Sequence, residues 1–170
     1  MMQQQQHSDG NPIRVGIIVS RYNHTITGAM LAAAIGEAES RGVKRDSIEV
    51  YDAPGAYELP MLSDRLAMSE RVDGVLALGC IVRGDTWHDR HIADAIAQGL
   101  LHSQLQTGVP IAFGVLTVLD SQQAKDRAGG SKGNKGAESM AALLDTIATM
   151  RAIDRGEQRS TVQAMFDKTL

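Results

Sequence analysis

The sequence predicts an α/β fold, a three-layer α/β/α sandwich around a four-stranded parallel sheet, and three observations carry that reading. Apolar runs of strand length alternate with stretches of helical period, the pattern of β-α units joined by right-handed crossovers. The run Val75-Leu76-Ala77-Leu78-Gly79-Cys80-Ile81-Val82 has no polar alternation, so both its faces must be covered, as in a central strand of a parallel sheet. It then breaks at Gly84 into Asp85, Thr86, Trp87 and His88. That puts ionisable side chains at a strand's carboxyl end, the edge where open parallel sheets bind ligands.

Ile13 to Ser20 is the first expected strand. From about Thr25 to Arg41, Met30, Leu31, Ala34, Ile35 and Ala38 recur at helical spacing, and Gly42 ends the helix. Ser47 to Asp52 is the second strand. Pro54 and Gly55 then turn the chain into a helix from Tyr57 to about Glu70, in which Pro60 is tolerated only in the first turn. Gly74 to Val82 is the third strand, followed by a long helix from about Trp87 to Thr107. Pro110 to Leu119 is the fourth, apolar on both faces. A short helix from Gln122 to Arg127, a glycine-rich link and a helix from about Lys135 to Ile153 complete the pattern.

Composition narrows the function classes. A chain of 170 residues suits one domain, here residues 13–155, able to bury a core without disulfide or metal staples. With 43% hydrophobic and 22% charged residues it has the balance of a soluble globular protein, and no apolar stretch has the length of a membrane span. A formal net charge of -3 argues against nucleic acid as the main partner, since duplex binders carry a basic face. The single cysteine, Cys80, lies in an apolar run outside any CxxC pair, which favours the cytoplasm. Residues 1–12 are glutamine-rich and polar, without the apolar core of a secretion signal, and read as a disordered tail. Residues 156–170 lack a strong period and read as a C-terminal extension.

A doubly wound sheet gathers its β-to-α turns on one rim: Ser20 to His24, Ala53 to Glu58, Arg83 to His88 and Thr117 to Ser121. These turns carry Arg21, Tyr22, Asn23, Glu58, Asp85, Thr86 and His88. His88 opens a helix, whose positive end favours the neutral imidazole that a general base needs; a surface histidine without a role is the plain alternative. Asp85 and Thr86 are good helix caps, yet a glycine turn with free amides at a helix start is also an anion site. Glu58 reads as a helix-start carboxylate, with hydroxyl recognition the sharper option. Tyr22 is either a solvent-facing turn residue or a ring that stacks on a flat ligand, and Phe113 either core filling or the same.

Other motifs fail on spacing. His88 and His91 stand three apart, but no third ligand is evident and the pattern is not HExxH, so no metal is expected. Arg127 to Gly136 is rich in glycine but lacks the G-x4-G-K-[ST] spacing and follows no strand. It reads as a flexible hinge between helices with Arg127, Lys132 and Lys135 at hand, Lys135 being kept as a further candidate site residue. No GxGxxG follows the first strand, against a dinucleotide cofactor.

Five blocks in register carry a resemblance: Ser20-Arg21-Tyr22-Asn23; Pro54-Gly55-Ala56-Tyr57-Glu58-Leu59-Pro60; Leu78 through His88; Phe113-Gly114-Val115-Leu116-Thr117; and Arg127-Ala128-Gly129 through Gly133-Asn134-Lys135-Gly136. Over about residues 13 to 153 the chain resembles the lumazine synthases. The resemblance implies the flavodoxin-like version of the sandwich. It also implies a cofactor-free condensation of 5-amino-6-(D-ribitylamino)uracil with 3,4-dihydroxy-2-butanone 4-phosphate, giving 6,7-dimethyl-8-ribityllumazine, phosphate and water, the step before riboflavin synthase. By position, Tyr22 would stack on the pyrimidinedione, and Ala56, Tyr57 and Glu58 would hold the ribityl chain and ring. The backbone of Cys80, Ile81 and Val82 would read ring polar atoms, Asp85, Thr86 and Arg127 would bind phosphate, His88 would move protons, and Phe113 would close the pocket. In the family Phe113 and Arg127 arrive from an adjacent subunit.

Some positions depart from the family pattern: Asp89 and Arg90 follow His88 where an aromatic is usual, Tyr22 replaces phenylalanine or tryptophan, and Cys80 replaces a small or hydroxylated residue. The resemblance implies a homopentamer, and the short link from Arg127 to Gly136 is similar to that of members forming a sixty-subunit icosahedral shell. An archaeal-type riboflavin synthase and a non-catalytic flavin-binding shell stand as the alternatives.

Overall fold

The computed structural model describes residues 12–157; the expected amino-terminal tail, up to residue 11, and the C-terminal extension from residue 158 lie outside the described residues. The strands β1 (Val15–Ser20), β2 (Ile48–Ala53), β3 (Gly74–Val82) and β4 (Ile111–Val118) form one sheet in the order β2-β1-β3-β4. All of its pairings are parallel. The helices α1 (His24–Ser40), α2 (Leu59–Ala67), α3 (His88–Thr107), α4 (Ser121–Arg127) and α5 (Lys135–Asp154) connect and flank it.

Strand order follows from crossover handedness. The chain moves one way from β1 to β2 through α1, then reverses to reach β3 and β4 through α2 and α3, and a right-handed crossover in the reversed direction must use the opposite face. Two cores result. Val15, Ile17, Val19, Leu76 and Leu78 pack with Met30 and Ala34 of α1 and Met140, Leu143 and Ile147 of α5. Ile18, Val75 and Ala77 pack with Leu59 and Leu66 of α2 and Ile96 and Leu100 of α3. The alternation of Leu76 and Leu78 with Val75 and Ala77 between these cores explains why the β3 run is apolar throughout. The three-layer parallel fold expected from the sequence is therefore borne out. The direction of winding reverses between β1 and β3, which opens a crevice at their carboxyl ends.

Several local expectations are corrected. β4 contributes to both cores, Leu116 and Val118 to one and Ile111 and Val115 to the other, but it is an edge strand, and there Phe113 is 45% exposed and Thr117 is exposed as well. The second helix is shorter than expected, since a 3-10 turn at Ala56–Glu58 precedes α2 and the helix stops at Ala67. A further 3-10 turn, Arg45–Ser47, leads into β2. The glycine-rich link is not a hinge but a hydrogen-bonded antiparallel hairpin of β5 (Ala128–Gly130) and β6 (Gly133–Asn134). A Cβ on Gly130 would fall 2.8 Å from the Asp126 Cα, so only glycine lets the hairpin fold back on α4.

Candidate active site

Three turns meet over the crevice between β1 and β3. After β1, the Arg21 amide donates to the Ala53 carbonyl at 2.9 Å, holding the first turn against the end of β2. Tyr22 then projects, 74% exposed. Asn23 stands in left-handed backbone, φ 56° and ψ 42°, and donates from Nδ2 to the Cys80 carbonyl at 2.8 Å. In the second turn the Gly55 amide donates to Glu58 Oε2 at 2.9 Å, a capping arrangement that fixes Ala56 and Tyr57 at the rim. In the third, β3 runs on through Val82 and the chain bends at Gly84 before α3 starts with His88.

These turns enclose a cavity of about 530 Å³, within the range of small-molecule sites. Of the residues singled out by sequence, Tyr22, Ala56, Tyr57, Cys80, Ile81, Val82, Thr86 and His88 line it. The other five lining residues are Asn23 and Asp89, which the sequence marks only as a rim residue and as the neighbour of His88, and Gly55, Gly84 and Ile92. Ile92 was legible in principle, one helical turn beyond His88 on the same face of α3. Glu58 stands beside the wall with its carboxylate turned to the Gly55 amide. Asp85 is an exposed rim residue outside the lining.

The start of α3 differs from the capping expected of Asp85 and Thr86. Trp87 is the N-cap and makes no side-chain cap, while the Thr86 hydroxyl accepts a long bond of 3.4 Å from the His88 amide. Trp87 is 67% exposed, and the Arg90 guanidinium lies 4.4 Å from its ring centroid. The unusual Arg90 thus stacks on an aromatic instead of being one. Burial pushes the Cys80 thiol up to about 11, so it is protonated and inert at neutral pH, consistent with a backbone role for that residue.

Phe113, Arg127 and Lys135 do not line the cavity of their own chain. Phe113 borders a separate hollow between β4 and α5. Arg127 donates from Nη1 to the Gln123 carbonyl one turn back along α4 at 3.2 Å, and Lys135 pairs with Glu138 within the first turn of α5. Among the described residues no group of three or more His, Cys, Asp or Glu is placed to hold a metal ion. No helix among them is long and apolar enough to cross a membrane.

The sequence profile of the 6,7-dimethyl-8-ribityllumazine synthase family matches residues 12–151. The 6,7-dimethyl-8-ribityllumazine synthases of Xanthomonas oryzae pv. oryzae (strain PXO99A) and Xanthomonas campestris pv. campestris (strain B100) are each 44% identical over 140 residues, covering 82% of this chain and 91% of theirs. That of Xylella fastidiosa (strain M12) is 43% identical over 140 residues, with the same coverage of both chains. The names of these relatives do not favour a riboflavin synthase or a non-catalytic shell. With the matching profile spanning nearly all of the described residues, the chain belongs to the 6,7-dimethyl-8-ribityllumazine synthase family.

Proposed function

We propose that this chain condenses 5-amino-6-(D-ribitylamino)uracil with 3,4-dihydroxy-2-butanone 4-phosphate to 6,7-dimethyl-8-ribityllumazine, releasing phosphate and water, in riboflavin biosynthesis. The observation that carries the reading is the shared cavity, where an aromatic ring, a bare strand edge and an imidazole at a helix start face one space. Tyr22 stacks on the pyrimidinedione, Ala56, Tyr57 and Glu58 hold the ribityl side, and the main chain of Cys80 and Val82, with Ile81 between them in the cavity wall, pairs with ring polar atoms. The phosphate of the four-carbon substrate sits at the start of α3. The Thr86 hydroxyl and the amides there favour an anion, and Asp85 acts through its main chain, because its carboxylate would repel the dianion.

Imine formation, phosphate elimination and ring closure are proton transfers around an amine and a carbonyl, and His88 is the group suited to move those protons. Both substrates bring their own reactivity, so holding them side by side supplies much of the acceleration. No cofactor is needed. Phe113 and Arg127 reach the cavity of an adjacent subunit, where Phe113 closes the ring pocket and Arg127 meets the leaving phosphate as a bidentate donor. Lys135 is a further cation at that junction. This makes a homopentamer the smallest complete unit. The compact hairpin after α4 favours assembly of pentamers into a sixty-subunit shell, which sedimentation separates from a free pentamer. The protein works in the cytoplasm and hands its product to riboflavin synthase.

The test is to mix protein with both substrates and follow fluorescent lumazine and free phosphate together. Equal yields are expected; phosphate released without lumazine overturns the reading.

A further inference from the structure

We infer that Asn23 is a positioning residue: by donating to the Cys80 carbonyl across the β1/β3 crevice, it sets the strand edge from Cys80 to Val82 that reads the aminouracil ring. The inference rests on the proposed synthase reading and adds to it a side chain that works through the main chain of another segment.

The β1–β3 ladder runs from Val15 opposite Gly74 to Val19 opposite Leu78 and stops there, whereas the β3–β4 ladder continues to Val82 opposite Val118. Val75 donates to the Pro110 carbonyl and Arg83 to the Val118 carbonyl, so the odd-numbered peptide groups of this strand face β4. The even-numbered ones, Cys80 and Val82, therefore face the side that β1 has left. Cys80 is 3% exposed, and a buried carbonyl left without a donor is costly. Asn23 supplies that donor at 2.8 Å, in the place where a further residue of β1 would have paired.

The residue gives up two local advantages to do this. It is the N-cap of α1, where asparagine ordinarily accepts a bond from a helix amide, yet it makes no side-chain cap. It also holds φ at 56°, a region most residues avoid and asparagine tolerates better than most. Aspartate would keep the shape but present an acceptor to the Cys80 oxygen. Glycine would keep the backbone but present nothing. The demand for left-handed backbone together with an amide donor singles out asparagine. Because Tyr22 is its immediate neighbour, the same bond ties the stacking ring to the strand edge, and Asn23 itself lines the cavity.

Loss of the bond should loosen recognition of the aminouracil and leave the phosphate end, built on the start of α3, unchanged. The variants are Asn23→Gly, which keeps the backbone conformation, and Asn23→Asp, which keeps the size. In the full-length assembly we expect Asn23→Gly to raise KM for the aminouracil and Kd for 6,7-dimethyl-8-ribityllumazine by about tenfold, the scale of one lost hydrogen bond. KM for the butanone phosphate should stay close to wild type, while the melting temperature falls modestly because the Cys80 carbonyl loses its donor. Asn23→Asp should be the weaker binder of the two. With a wild-type protein that makes lumazine, an unchanged aminouracil KM in Asn23→Gly, or equal rises in both KM values, overturns the positioning role alone. A wild-type protein that neither makes nor binds lumazine overturns the synthase reading and the inference with it.

Discussion

Placing alanine at Gly136 tests the packing that holds the two helices of one layer together. Gly136 is a buried residue in the first turn of α5, and a Cβ there would lie 2.0 Å from the Met30 carbonyl oxygen and 2.6 Å from its carbonyl carbon. Those are backbone atoms of α1, locked in its hydrogen-bond ladder, so no rotamer change relieves the clash. Ordinary contact begins at 3.4 Å, and the start of α5 must therefore withdraw by about 1.4 Å. That movement loosens two bonds made by Asn134, from Nδ2 to the Ala29 carbonyl at 3.3 Å and from the Gly136 amide to Oδ1 at 2.9 Å. Overpacking of this kind costs about 1–3 kcal/mol, and a lost cap about 1 kcal/mol. The better helix propensity of alanine returns at most about 1 kcal/mol.

The expected net loss is about 1–3 kcal/mol, or a fall in Tm of about 2–12 °C for a chain of this size. Gly36→Ala is the internal control: Gly36 is exposed in the middle of α1, nothing lies within 4 Å of its would-be Cβ, and the change should stabilise by up to about 1 kcal/mol. Thermal unfolding at equal protein concentration reads both, since an oligomer melts in a concentration-dependent way. A Gly136→Ala protein that melts with wild type, or a Gly36→Ala protein that loses as much stability, would refute the reasoning.

The two remaining predictions concern the site and its thiol. His88→Ala should lower kcat by about 10²–10⁴-fold, the usual yield of a positioned proton carrier, while lumazine binding, read by fluorescence quenching, stays near wild type; parallel losses in rate and binding would remove the proton-transfer role. Cys80 has a folded pKa of about 11 against a reference of 9.0, so the unfolded chain releases this proton first. Its contribution to stability is complete below pH 9.0 and is lost as pH rises toward about 11. The urea midpoint of wild type should thus fall more steeply over that window than that of Cys80→Ala, and superimposable slopes would count against a buried, protonated thiol.

Legibility in the sequence was uneven, for physical reasons. The β3 run was readable because a strand buried on both faces has no room for polar residues, and the glycine break after it marks the rim without further information. The edge position of β4 was not, since Phe113 and Thr117 differ from core residues only once the strand order leaves them without a neighbour. The hairpin after α4 is not legible either, because the bond that anchors it, from Asn134 to the Ala29 carbonyl, spans 105 residues of sequence. Asn23 was visible as a rim residue, but its partner Cys80 lies 57 residues away and hides in an apolar run.

From residue order alone came the succession of strands and helices, the rim as the place for chemistry, and the types of group found there. Those are local properties: side-chain period, turn chemistry and the burial that an unbroken apolar run demands. Only the folded chain decided which rim turns face one another. That depends on crossover handedness and on which side of the sheet each helix can pack, so the meeting of the β1 turn with the end of β3 is a property of the whole sheet.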